Sequence, residues 1–466
     1  MQRIIEDVWR REAPHVLGAL LRRHGDLGDC EDAVQEAVEA AVAQWPTEGV
    51  PDDPRAWLVR VASRRLIDRV RADSARARRE ALDGARRPGG VEAVPAVDED
   101  PGPAVDDTLR LLFLCCHPAL SRPSQVALSL RAVAGLGVPQ IAAAYLVPVR
   151  TMTQRLSRAR AVLRQAGARF VMPSDEELAD RVAAVLDVCH LVFTEGYTRT
   201  SGESLVDVPL AEEAIRLTRQ VHHTLPDHDE VTGALALMLL THARSAARVD
   251  ASGDLVPLAE QDRSRWRRDL IDEGVTLLER TLPRGHLGRY QLHAAIAAVH
   301  AESPTYESTD WMQISVLYDM LSRVAPAPTV TLNQAVAVAM AHGAAAGLAL
   351  LDPLLTDPAM RRYHRLFAVR AHLLERGGEV AAAIEHYQRA ARLTASLPEQ
   401  RYLNRRRLRL IGTAAPAAAS SPAAPAAQAP PAAPAVQAPP AAPAVQPPPA
   451  AQSGAAPVTG QRPPSL

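Results

Sequence analysis

The sequence predicts an all-α protein built from several helical units. Its 466 residues are too many for one compact core, so two to four units are expected. The composition is 47% hydrophobic but only 4% aromatic and is rich in Ala and Leu, which favours helices over sheets. Apolar residues recur at steps of three and four through most of the chain, and after Pro173 no stretch shows convincing period-two alternation.

The elements follow in order. Gln2 to His24 reads as an amphipathic helix with Ile5, Val8, Trp9, Val16 and Leu20 inward. Asp29 to Trp45 reads as a second, with Asp29 as N-cap and Val34, Val38 and Val42 as a buried stripe. Asp32, Gln35, Glu36 and Glu39 then face mostly outward. The Pro- and Gly-bearing stretch from Trp45 to Asp53 reads as a loop. Pro54 opens a third helix to about Arg79, with Trp57, Leu58, Val61, Leu66 and Val70 inward and Arg60, Arg64, Arg65, Arg69 and Arg71 forming a cationic surface. Residues 83–105, rich in Pro, Gly and acid, read as a flexible linker.

The most informative stretch is Gly135 to Arg164. It reads as helices Pro139–Tyr145 and Val149–Arg164 joined by a tight turn at Leu146. In the second, Val149, Met152, Leu156, Ala159 and Leu163 share one face. The opposite face carries Arg150, Thr153, Gln154, Ser157, Arg158 and Arg160. This is the form of a helix-turn-helix recognition element, since Arg and Gln can pair with base edges in the major groove. A solvated Arg-rich helix would share the pattern.

Charge distribution adds to this. The formal net charge is −1, yet every basic residue in the Lys+Arg count of 52 is arginine. From Arg55 to Arg87 eleven arginines stand against Asp68, Asp73, Glu80 and Asp83. A locally basic segment in a neutral chain suits a polyanion-binding module joined to a non-binding one.

These residues resemble the sigma-70 family, extracytoplasmic-function class. Gly135-Leu136, Ile141-Ala142, Thr151 and the Arg155-Leu156-Ser157-Arg158-Ala159-Arg160 run are similar to its −35-binding domain. Asp32-Ala33-Val34-Gln35-Glu36, then Trp57-Leu58, Ala62 and Ile67-Asp68-Arg69-Val70-Arg71, are similar to its polymerase-binding and −10-reading domain. Leu146 stands where the family usually has Gly, and Arg64 where it often has Asn. The resemblance implies a subunit that binds core RNA polymerase and promoter DNA. Asp32, Gln35 and Glu36 would dock on the clamp of the largest polymerase subunit. Trp57, Arg60, Arg64, Arg65, Arg69 and Arg71 would hold the −10 region. Arg150, Thr151, Thr153, Gln154, Arg155 and Arg158 would read the −35 element.

The expected organisation is residues 1–82 for polymerase and −10 binding, 83–105 as linker, 106–172 for −35 binding, and 173–411 as a helical C-terminal domain. In that domain helices are expected around Leu210–Leu225, Val231–Arg248, Arg263–Leu282, Gly288–Ala301 and Asp310–Val324. His364 to Leu397 reads as a tetratricopeptide-like hairpin with Gly377-Gly378 at its turn, and Val330 to Leu355 as a weaker copy. FTEGY at Phe193, DWMQISVLYDML and TVTLNQAVAVAM resemble the C-terminal extension of one sigma-factor subgroup. This domain is expected to regulate the first two within the chain. Residues 412–466, rich in Ala and Pro, read as a disordered tail.

Cys30, Cys115, Cys116 and Cys189 fit no disulfide framework and no CxxC pair, and read as buried thiols. His222, His223 and His228 read as a polar loop, so no metal is expected. No nucleotide-binding, zinc-protease or serine-hydrolase motif is present, so neither catalysis nor a cofactor is expected. No apolar run is long enough to span a bilayer, and a cytoplasmic protein is expected. The competing readings are a helix-turn-helix regulator with a helical sensor domain, which would act without polymerase, and a helical-repeat adaptor.

Overall fold

The computed structural model describes residues 2–82, 105–145, 147–285 and 287–417. The architecture is all-α, about 75% helical. The first unit is α1 (Gln2–His24), α2 (Leu27–Glu48) and α3 (Pro54–Leu82). Val8, Val16, Leu20, Cys30, Ala33, Ala37, Leu58, Ala62 and Leu66 are buried between them. Trp45, fully buried, meets Trp57 edge-on at 5.4 Å.

Two expectations for α2 are corrected. Its N-cap is Asp26, whose side chain accepts from the Asp29 amide at 3.0 Å, so the helix begins earlier. It also runs through Pro46 to Glu48, and Gly49, at φ 85°, closes it by donating to the Trp45 carbonyl.

The second unit is α4 (Val105–Cys115), α5 (Arg122–Ala132), α6 (Val138–Ala144) and α7 (Val149–Gln165). Leu109, Leu112, Phe113, Val126, Leu128, Ile141, Met152, Leu156, Ala159 and Leu163 form its interior. The expected turn residue Leu146 lies outside the described residues, as does most of the expected linker. The two units meet where α1 crosses α4. A Cβ on Gly18 would sit 2.8 Å from that of Asp107, so glycine permits this approach. Arg22 pairs with the buried Asp107, and Trp9 Nε1 donates to the Gly135 carbonyl at 2.9 Å.

Then follow α8 (Asp175–Tyr197), α9 (Val208–Thr224), α10 (Asp229–His242), α11 (Arg268–Thr281), α12 (Arg289–Glu302) and α13 (Trp311–Val324). Gly196 lets α8 touch α9, since a Cβ there would meet the Ala211 nitrogen at 2.4 Å. The remaining helices are α14 (Pro328–His342), α15 (Ala344–Leu351), α16 (His364–Arg376), α17 (Val380–Leu393) and α18 (Leu397–Ala417). One parallel pair, β1 (Ser201–Gly202) with β2 (Ala395–Ser396), joins the two ends of this half. The expected helix Val231–Arg248 is shorter, ending at His242 before a 3₁₀ turn at Ser245–Ala247. Arg263–Arg265 is likewise 3₁₀, so the next helix starts only at Arg268.

One continuous core runs from Ile5 to Tyr306 and joins both small units to the start of the C-terminal half. A separate core from Leu332 to Leu410 lies among α14–α18. The α18 helix carries residues 412–417, so helix persists beyond the expected start of the tail; residues 418–466 lie outside the described residues.

Candidate nucleic-acid interface

The α7 helix divides by face. Met152, Leu156, Ala159 and Leu163 are buried, whereas Arg150, Thr151, Thr153, Gln154, Ser157 and Arg158 are exposed. Thr153 Oγ1 back-bonds to the Val149 carbonyl at 3.0 Å. Val149, expected on the buried face, is 49% exposed because it opens the helix where no neighbour covers it. Arg155 is half-buried, its guanidinium 5.3 Å from the ring centroid of Tyr145, the residue that follows α6. That contact steadies the angle between α6 and α7.

Arg160, expected on the outward face, turns instead to α2. It pairs with Glu31, which is 4% exposed. Burial raises the Glu31 pKa, while the charges of Arg160 and Arg131 pull it back. Arg164 adds a hydrogen bond to Asp26 at 2.8 Å, and Arg131 of α5 donates to Gln35. The outer end of α7 thus faces solvent, and its inner end is fastened to α2.

The acidic face of α2 is engaged as well. Arg69 pairs with Asp32 at 3.2 Å and with Glu36, and Arg65 approaches Glu36 at 3.7 Å. The six expected −10 residues therefore separate. Trp57 packs on Trp45, and Arg65 and Arg69 serve α2. Arg60, Arg64 and Arg71 are exposed and carry no ion pair among the described residues. These three, with Arg150 and Arg158, are among the exposed cations of the described residues that a polyanion could meet.

The four thiols are buried. Burial pushes Cys30, Cys116 and Cys189 up to about 12 and Cys115 well above its ordinary value, so none offers a thiolate near neutral pH. His228 caps α10, its Nδ1 accepting from the Val231 amide, while His222 and His223 end α9.

The family described as Sigma-70 region 2 matches residues 8–87, the span of α1–α3 that carries this acidic face and the exposed arginines. Residues 8–87 thus carry a Sigma-70 region 2 domain. A second match, to a family of unknown function, DUF6596, covers residues 181–282 and hence most of α8 through α11. An uncharacterized protein of Rhizobium meliloti (strain 1021), R00370, is 40% identical over 393 residues, 84% of this chain and 92% of that protein, and the two belong to one family. A protein of Mycobacterium tuberculosis (strain ATCC 25618 / H37Rv), named "Probable ECF RNA polymerase sigma factor SigI", is 30% identical over 186 residues. That alignment covers 40% of this chain and 62% of the relative, less than two thirds of its length. No solved structure matches the chain. No helix among the described residues is long and apolar enough to cross a membrane.

Proposed function

We propose that this chain is a sigma-70 family factor that binds core RNA polymerase, recognises −35 and −10 promoter elements and directs the start of transcription in the cytoplasm. The observation that carries the reading is the outward face of α7, with Arg150, Thr151, Thr153, Gln154 and Arg158 exposed together. On this reading α6 and α7 form a helix-turn-helix, α7 enters the major groove, and Arg and Gln pair with base edges. Arg60, Arg64 and Arg71 hold phosphates of the −10 region and the displaced strand. Residues 1–82 and 106–172 act as the two promoter-binding domains.

The ties between these domains give the mechanism a first step. Elements named −35 and −10 lie about 25 base pairs apart, roughly 85 Å at about 3.4 Å per pair. Two surfaces fastened by Arg160–Glu31 and Arg164–Asp26 cannot bridge that distance. The units therefore part when both elements are read, and the described arrangement is a closed one. Polymerase docking on Asp32, Gln35 and Glu36 replaces Arg65, Arg69 and Arg131 with basic groups of the clamp. Docking and opening are thus coupled.

The C-terminal half regulates this step. Arg122 of α5 donates to Asp187 of α8 at 2.7 Å, and Arg181 donates to the Phe113 carbonyl, so α8 holds the −35 unit directly. The α14–α15 and α16–α17 pairs serve as tetratricopeptide-like hairpins. The test is reconstitution with core polymerase followed by size-exclusion chromatography. The wild-type chain should co-elute with core. Asp32→Arg with Glu36→Arg should not, while its circular dichroism stays helical, because like charges then face the basic clamp. Failure of the wild-type chain to bind core would overturn the reading.

A further inference from the structure

A cavity of about 190 Å³ lies where the second unit meets the C-terminal half. Val126 and Leu130, four apart on α5, turn one stripe to it, and Leu191 and Glu195, four apart on α8, turn another. Ala144 of α6, Tyr145 after it and Leu210 of α9 close the sides, and Thr200 lies in the wall just beyond α8. Two features fix these walls: the close approach of α8 to α9 at Gly196, and the pairing of Ser201 with Ala395.

Water fills such a space poorly. Packed interiors hold few voids larger than one water molecule, whose share of liquid volume is about 30 Å³. Val126, Leu130, Leu191 and Leu210 offer water no hydrogen bond, and an apolar cavity of about 150 Å³ takes up benzene. One charge stands in this lining. Among the described residues that line the cavity, Glu195 alone is ionisable to a carboxylate or a cation. Its Oε1 accepts from the Thr200 amide at 3.3 Å and from the Thr200 hydroxyl at 3.4 Å. No cation among the described residues forms an ion pair with it; Arg199 favours its charged form from further off and pairs with Asp207 at 3.3 Å. Burial accordingly raises the Glu195 pKa, and the Thr200 bonds and Arg199 offset this only in part. Thr200 is exposed and Tyr145 half-buried, so the cavity can be reached from solvent.

We propose that this cavity binds a small organic amine, its ammonium head at the Glu195 carboxylate and its apolar body against Val126, Leu130, Leu191 and Leu210. The ammonium supplies the ion pair that no described side chain provides, and the apolar walls select against metal ions and free ammonium. Tyr145, in the same wall, carries Arg155 of α7 over its ring at 5.3 Å, so an occupant reaches that helix through one side chain. The site does not depend on the transcriptional reading, and its test involves neither polymerase nor DNA.

The experiment is calorimetric titration of the full-length protein with benzylamine and, as a charge control of similar shape, with benzoate. Benzylamine should bind with one-to-one stoichiometry and raise the unfolding temperature; benzoate should not bind. Ala144→Leu, which places apolar bulk in the cavity, should abolish binding. Because that variant could fail to fold, Glu195→Gln provides the second arm. It keeps an acceptor for the Thr200 amide and hydroxyl, so it should fold as wild type yet bind benzylamine about tenfold more weakly, the difference between a charged and a neutral hydrogen bond. Absence of saturable benzylamine binding, equal binding of benzoate, or unchanged affinity in Glu195→Gln would each overturn the proposal.

Discussion

Arginine is the chain's sole basic residue besides histidine, yet it does opposite work in the two halves. In the first 172 residues Arg60, Arg64, Arg71, Arg150 and Arg158 point to solvent without ion pairs among the described residues. In the C-terminal half Arg244, Arg248, Arg365 and Arg406 are buried. Arg406 pairs with Glu375 at 2.7 Å, and Glu375 also accepts from the Tyr387 hydroxyl at 2.6 Å, which ties α16, α17 and α18 together. On the proposed reading the same side chain serves an outside polyanion in one half and, at Arg406, the joining of helices in the other. What separates the roles is hydration. An exposed guanidinium stays hydrated and can meet phosphate, whereas a buried one needs a permanent partner.

The largest test of this contrast removes a buried partner. Arg406→Ala leaves Glu375 facing Tyr387 without its cation and should cost about 3–5 kcal/mol, because a buried charge is then unpaired. Urea unfolding should register this as a large fall in midpoint. Arg158→Ala, on the exposed face, should stay within about 0.5 kcal/mol of wild type. Equal losses would erase the distinction.

A smaller effect concerns acid. Burial alone would raise the Glu399 pKa, but the hydrogen bond from His364 and the charges of Arg365 and His364 outweigh it and hold it at about 2. A carboxylate with a depressed folded pKa stabilises the fold above its unfolded value, near 4.5. That contribution is lost as pH falls from about 4.5 toward 2. Unfolding followed across this window should show a slope that Glu399→Gln flattens. An unchanged slope would mean that Glu399 is not held by these cations.

Part of this architecture was legible in the sequence. Met152, Leu156, Ala159 and Leu163 marked the inner face of α7 because each step of three or four stays near one side of a 3.6-residue turn. The same reasoning drifted on α2. Steps of four advance about 40° beyond a full turn, so Val34 is buried, Val38 partly so and Val42 49% exposed. The true stripe passes through Cys30, Ala33, Ala37 and Ala41, where small side chains gave little hydropathy signal. Asp29 was read as the cap because it opens an acidic run, whereas Asp26 accepts its amide.

The candidate site was legible as a set of residue types and not as an arrangement. Glu31 was passed over beside Asp32 because burial of an acid becomes visible only when its cation, Arg160, arrives from 129 positions away. Arg160 shared the outward pattern of Arg158, but Glu31 redirected it, and Arg155, expected among the −35 residues, lies over the Tyr145 ring. The cavity at Glu195 draws its walls from α5, α6, α8 and α9, and no local spacing announces it.

The central claim is that exposed arginines of the first 172 residues give core polymerase its promoter. Run-off transcription tests it most directly, using core polymerase alone, with the wild-type chain, and with the Arg150→Ala, Gln154→Ala, Arg158→Ala triple variant. Core alone should start at no defined site, and the wild-type chain should create one. The variant should still bind core but lose promoter discrimination by about 1–3 kcal/mol for each base contact removed. Normal transcription by the variant, or no defined start with the wild-type chain, would contradict the account.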